Sequence, residues 1–183
     1  MTLMDIIQNR RSVRRYSSAA VPREAIDECL EAARLAPSAC NSQPWSFIVV
    51  DDVRLREDLA KKAFSGIYRS NAFAGTAPVM IVVITEQSSY IAKLGGALRR
   101  VQYSLVDIGI ACEHFVLRAA ELGIGTCWLG WFNEKAVKDA LSLPRSAKVD
   151  ILISAGYPEE DERSPPKRRT LAQIRAFNAA PRD

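Results

Sequence analysis

The chain has 183 residues, of which 48% are hydrophobic and 25% charged, a balance that excludes global disorder and is sufficient for one substantial core. A formal charge of +4 and a pI near 9.0 favour anionic ligands, without distinguishing a phosphate-bearing small molecule from a nucleic acid. One histidine, and four cysteines with no CxxC spacing, leave little for a zinc site or a Cys/His nucleophile and suggest reduced thiols in a cytoplasm.

In chain order, residues 4–9 predict a short helix that runs into Arg10-Arg-Ser-Val-Arg-Arg-Tyr16. Four arginines around a serine supply forked donors and a hydroxyl, the groups that hold a phosphate monoester by charge-assisted bonds. A solvated charge run is the equal alternative at this point. No long apolar segment precedes the arginines, so neither a leader peptide nor a membrane span is expected. Pro22 opens a helix that continues to residue 36, with Ile26, Leu30, Ala33 and Leu35 facing inward. Two prolines then bracket Ser38, Asn41, Ser42 and Gln43 in a polar loop, able to read the edge of a flat ring or simply to join helix to strand. Residues 45–50 predict a buried strand, Asp51 and Asp52 cap a helix over 53–64, and the β-branched run 79–85 predicts a central strand. Between them, 64–76 has no clear period. Its Gly66, Gly75, Tyr68 and Phe73 suit either a cover over a pocket or a surface loop with aromatic anchors, and Tyr68 and Phe73 are the candidate substrate contacts. Residues 86–96 predict a further excursion with room for a short helix.

From 101 to 122 most positions are apolar, while Arg100, Ser104, Asp107, His114, Arg118 and Glu121 fall on one face by steps of three, four and seven. A helix buried almost all round needs more cover than one small domain gives. This predicts a second copy of the chain beside it, with Gly109 and Ala111 allowing close approach. Asp107 and Glu113 argue against a bilayer span. Gly123 and Gly125 end the helix, and 126–130 follow as a strand with exposed amides at its end. Asn133 caps a helix to 141, residues 149–155 predict a fourth strand, and the biased tail 164–170 leads into a short helix ending by 178. Cys127 reads as a small buried filler, and His114 as a hydrogen-bonded structural residue. Trp128 and Trp131 read as packing residues or as neighbours of a bound ring.

Taken in order, Arg10-Arg-Ser-Val-Arg14, Ala36-Pro-Ser-Ala-Cys-Asn-Ser-Gln-Pro-Trp45, Ala77-Pro-Val79, Gly123-Ile-Gly-Thr-Cys-Trp-Leu-Gly130, Gly156-Tyr-Pro158 and Lys167-Arg-Arg-Thr-Leu171 resemble the nitroreductase family of FMN-dependent oxidoreductases. The segments span nearly the whole chain. The resemblance implies one domain over 1–183, an α+β fold with a central mixed β-sheet flanked by helices, and FMN at a homodimer interface. By similarity, Arg10, Ser12 and Arg14 hold the phosphate and ribityl end, and Arg11 reaches the ring's carbonyl edge. Arg168 of the tail, or its neighbours Lys167 and Arg169, adds a phosphate contact. Pro37, Ser38, Ala39, Asn41 and Gln43 line the flavin from the other subunit. Asn71 adds a polar contact, and Leu129 and Gly130 lie along the ring, with the Gly130 amide near its reactive nitrogen.

The resemblance also implies that no catalytic side chain or metal is needed, because the cofactor carries the chemistry. NADH or NADPH reduces the flavin and leaves, and an electron-poor nitroaromatic, quinone or flavin takes its place. Some relatives instead fragment flavin, remove halogen or dehydrogenate peptide heterocycles. Two other readings stay beside this one: an FMN-binding protein without turnover, and a basic anion- or nucleic-acid-binding domain. For the last the sequence offers charge but no helix-turn-helix, RNP or zinc pattern.

Overall fold

A computed structural model describes residues 1–86, 101–159 and 167–178. Helix α1 (Leu3–Asn9) starts at a reciprocal cap, in which Thr2 Oγ1 accepts from the Asp5 amide at 3.2 Å and Asp5 Oδ2 accepts from the Thr2 amide at 2.7 Å. Helix α2 (Arg23–Arg34) follows Pro22, and a 3-10 turn (Ala39–Asn41) leads to β1 (Trp45–Val50). Asp52 caps α3 (Val53–Ala63), and an extended 3-10 segment (Gly66–Thr76) precedes β2 (Val79–Thr85). The long helix α4 (Tyr103–Glu121) turns directly into β3 (Gly125–Leu129). Asn133 caps α5 (Glu134–Ala140), β4 (Lys148–Gly156) completes the sheet, and α6 (Leu171–Ile174) is one turn in the tail.

The four strands lie in the order β1-β2-β4-β3 and every pair is antiparallel. The expected mixed character is limited, among the described residues, to one parallel bridge between Ser12 and Thr126. Alternation along β2 divides its apolar run between two faces. Val79, Ile81 and Val83 join α2 and α4 residues including Ile26, Cys29, Ala33, Ile108, Cys112 and Phe115. Met80 and Val82 join Leu59, Ala63, Phe64 and Val137 from the α3 and α5 side. Helices thus cover both faces of the sheet, which is why its inner strands read as continuous hydrophobic runs.

Several boundaries and environments differ from the sequence reading, each for a physical reason. β1 is an edge strand, so most of it is only half-buried. Leu35 is 64% exposed because it sits at the C-cap of α2, off the helical period. The polar stripe of α4 is turned onto α2 rather than outward. Asp107 is buried, the His114 ring Nδ1 donates to the Ala32 carbonyl at 3.2 Å, and Arg118 pairs with Glu28. The outward positions near the start of α4 are instead apolar, with Leu105 and Val106 exposed. Gly123 does take the left-handed backbone of a helix end, at φ +76°, but Gly125 is required for close packing, as described below. The excursion expected over 87–96, and Arg100, lie outside the described residues. No helix among the described residues is long and apolar enough to cross a membrane.

Phe115 is fully buried between α2 and the sheet. Phe115→Ala is expected to cost about 3–5 kcal/mol in urea unfolding by leaving a cavity that the sheet cannot collapse into.

Candidate functional site

The arginine-serine segment owes its position to main-chain pairing. After α1 the chain runs beside β3, where the Val13 amide donates to the Thr126 carbonyl at 2.9 Å and Ser12 bridges Thr126. Tyr16 locks the far end: its hydroxyl donates to the Val13 carbonyl at 2.7 Å and shares a 2.8 Å hydrogen bond with Ser154 Oγ, which is fully buried. The Ser17 amide then donates to the Tyr157 carbonyl at 2.9 Å. Burial pushes the Tyr16 phenol well above its ordinary pKa, so it remains protonated and able to donate. The fit against the strands is tight enough to require glycine. A Cβ on Gly125 would lie 2.5 Å from Val13 Cγ2, and one on Gly156 would lie 2.4 Å from Pro78 Cδ and 3.0 Å from the Tyr16 ring.

This pinning brings four of the expected site residues to one edge. Arg11 Nη1 donates to the Gln8 carbonyl at 2.7 Å, and Arg14 Nη1 reaches the Ser12 carbonyl at 3.4 Å. Arg10, Arg11 and Arg14 form no ion pair among the described residues, whereas Arg15 is matched to Glu159 at 3.4 Å. Three guanidinium groups beside one hydroxyl, none in an ion pair among the described residues, are a donor set suited to an anion. Arg10 is close enough to Glu113 of α4 to oppose the rise that burial imposes on that carboxyl. Burial likewise raises the Cys127 thiol, against Arg14 and Arg10, and pushes the Cys29 and Cys112 thiols up to about 12, so these three cysteines are inert filler.

The 3-10 segment docks at the open end of β3. Asn71 Nδ2 donates to the Trp131 carbonyl at 2.9 Å, and the Trp131 indole N–H donates to the Ile67 carbonyl at 3.0 Å. Tyr68 and Trp131 have ring centroids 5.0 Å apart, and Arg14 lies over the Phe73 ring with Cζ 5.8 Å from its centroid. Phe73 therefore stands beside Arg14, while Tyr68 and Asn71 stand beside Trp131, just past the end of β3. Gly130 is exposed there, and a Cβ on it would meet nothing within 4 Å. Leu129 differs from the expectation that it lies along a ring: its side chain is buried in the α3/α5 core, leaving only its backbone for a ligand. Trp128 is likewise partly buried against the core.

Pro37, Ser38, Ala39, Asn41 and Gln43 lie elsewhere. They precede β1, at the opposite edge of the sheet, where Trp45 pairs with Thr85 and Thr85 with Lys148, while Thr126 pairs with Ala155 at the other end of β4. Strand spacings put the loop roughly 19 Å across the sheet and about 23 Å along it from the arginine segment. Within one protomer these two groups do not meet. Lys167, Arg168 and Arg169 are exposed and make no hydrogen bond or ion pair among the described residues. A shallow acidic depression lined by Glu24, Asp27, Glu28, Glu31 and Arg118 shares no residue with these groups. Among the described residues no cluster of three or more metal-ligating side chains forms.

Sequence reasoning missed the Tyr16–Ser154 lock and the contact of Asp107 with the Ala39 amide at 3.1 Å. The second had a signal, a lone carboxylate inside an otherwise apolar helix. The first had none, because a tyrosine and a serine 138 residues apart are unremarkable in a sequence.

The chain is thus an α+β protein, a four-stranded sheet with helices on both faces, whose arginine-serine edge offers donors suited to an anion. The comparisons make this specific: the nitroreductase family model matches residues 7–72 and 67–157, and the chain belongs to that family. A protein of Archaeoglobus fulgidus provisionally named NADH dehydrogenase/NAD(P)H nitroreductase is 34% identical over 165 residues, 87% of each chain. An FMN-dependent nitroreductase from Clostridium difficile R20291 superposes with a TM-score of 0.77 at 28% identity, over 97% of this chain and 99% of that one. Iodotyrosine deiodinase 1 of Sus scrofa is 29% identical over 93% of this chain and 66% of its own length.

Gly125→Ala is expected to cost about 1–3 kcal/mol in urea unfolding by driving a methyl into Val13, and to expose the Val13 amide to hydrogen exchange. Adding Val13→Ala should recover part of both. An alanine variant as stable as the parent, with that amide still protected, would refute the close approach.

Proposed function

We propose that this chain is a single-domain FMN-dependent NAD(P)H oxidoreductase, working as a homodimer and passing reducing equivalents in a ping-pong exchange to a small electron-poor acceptor such as a nitroaromatic, a quinone or free flavin. One observation carries the reading: three arginines and a serine without carboxylate partners, held beside a strand that ends in an open glycine. The donor set fits a phosphate monoester, and the space at Gly130 fits the approach of a flat ring to main-chain amides. FMN, once bound, supplies the hydride chemistry that no side chain here offers.

Every protein role is binding or electrostatics. Arg10, Ser12 and Arg14 grip the phosphate and ribityl end, Arg11 faces the ring's carbonyl edge, and the tail adds a cation from Arg168, Lys167 or Arg169. Asn71 spends its amide N–H on Trp131 and keeps its carbonyl oxygen for the ligand. The Gly130 amide and the arginines stabilise negative charge that builds on the ring, which favours reduction without a proton-transferring residue. Tyr68 and Phe73 flank the space where nicotinamide and acceptor alternate.

The ring-lining loop comes from the partner chain. Two observations support this: the loop and the arginines occupy opposite corners of one sheet, and α1 and α4 leave Leu3, Met4, Ile7, Leu105 and Val106 exposed. Such an apolar face is covered in solution by a second copy. The exposed Leu171, Ile174 and Phe177 of the tail extend the surface available to that copy.

Purified protein is expected to be yellow, to bleach anaerobically on addition of NADH or NADPH, and to regain colour with nitrobenzene or benzoquinone. Protein that is colourless and takes up no added FMN would refute the assignment. Val106→Lys is expected to halve the mass in sedimentation and to release FMN in the same step, since each site needs both chains. A monomeric variant that keeps FMN would disprove the shared site.

A further inference from the structure

We propose that Asp107 is a positioning residue for the flavin-lining loop, acting through the Ala39 amide; this rests on the FMN reading above. Asp107 is 3% exposed, on a helix whose neighbouring turns are apolar. A buried carboxylate needs donors, and it has one, the Ala39 N–H at 3.1 Å. Its second oxygen, Oδ2, is buried with no partner among the described residues, and so is Ser42 Oγ in the same loop. The polar groups of this corner are thus arranged around the loop and remain incompletely satisfied among the described residues.

The loop has reason to need an anchor. Cys40, Asn41 and Gln43 all take left-handed backbone, with φ of +54°, +52° and +44°, and none is a glycine. Its other hydrogen bonds are local: the Asn41 amide to the Ser38 carbonyl at 3.0 Å, the Ser42 amide to the Ala39 carbonyl at 3.1 Å, and the Gln43 amide to Ser38 Oγ at 2.9 Å. The Gln43 carbonyl also accepts from the Trp45 amide at 2.8 Å, where the chain runs on into β1, and Asp107 provides the hydrogen bond that, among the described residues, ties 37–43 to an element distant in sequence. It does so from α4, one residue beyond the exposed Leu105 and Val106. The helix face that meets a second copy and the loop that reads the ring are therefore joined through one carboxylate.

The test is FMN release from the purified holo-dimer after dilution, read by the return of free-flavin fluorescence, together with the visible circular dichroism of the bound flavin. Asp107→Ala should weaken FMN retention by about tenfold, the effect of one hydrogen bond to a charged group, and should change the dichroism. Asp107→Asn keeps an oxygen for the Ala39 amide and should restore both. Ala39→Pro removes the donor instead, at a site where Ser38 already has the extended backbone that proline requires before it. Combining it with Asp107→Ala should add nothing to the loss. Wild-type retention and dichroism in Asp107→Ala, failure of Asp107→Asn to restore them, or additive losses in the double variant would overturn the role while leaving FMN binding intact. A wild-type chain that holds no FMN would bring down the parent reading and this one with it.

Discussion

The hydrogen bond from the Val13 amide to the Thr126 carbonyl is the contact on which the rest of the arrangement depends. It converts a charged N-terminal segment, which has no regular structure of its own, into an added edge of the sheet. Once the backbone is fixed there, the arginines on either side of Ser12 are aimed by strand geometry rather than by ion pairs. This explains why they can stand without carboxylates. A side chain oriented by an acid would be partly neutralised by it, whereas one oriented by main-chain pairing keeps its full charge for a ligand.

The two-faced core sets the remaining geometry. Because helices cover both sides of the sheet, ligand groups are confined to its rims and ends, and the topology spreads them widely. The arginine segment lies outside β3 and the polar loop precedes β1, with three strands between. α4 spans the separation. Its buried face forms the largest part of one core, its polar stripe binds α2, and its outward residues near the N-terminus are apolar. One helix thus fills the core, holds the loop and leaves an apolar patch exposed, which accounts for the dense apolar sequence of that segment.

Much of the fold was legible in the sequence because the elements carry strong local signals. Pro22, Asp52 and Asn133 mark helix starts within a residue, and the run from Val79 to Thr85 could hardly be anything but an inner strand. What escaped was three-dimensional. The step pattern on α4 revealed a polar stripe but not that α2 would cover it. Leu35, placed inward by helical period, turns outward at a helix end, and the side chain of Leu129, which the resemblance placed along a ring, is buried in the core. Gly125 was assigned a turn, yet its lack of a side chain serves Val13, 112 positions earlier, a relation no local window can detect. The candidate site residues were read as an ordered set of short segments, with the polar loop assigned by resemblance to the other subunit. Their placement at two corners of the sheet depends on strand order, which no segment states.

The Tyr16–Ser154 lock joins positions 138 residues apart, and this has a consequence for synthesis. The basic head of the chain leaves the ribosome first, while its docking partner is among the last strands made. At ordinary translation rates the interval is roughly 7–28 s. Throughout that time a cluster of bare guanidinium groups waits beside a particle rich in RNA, so completion of the arginine-serine rim waits for the last strand of the sheet however early the helices form.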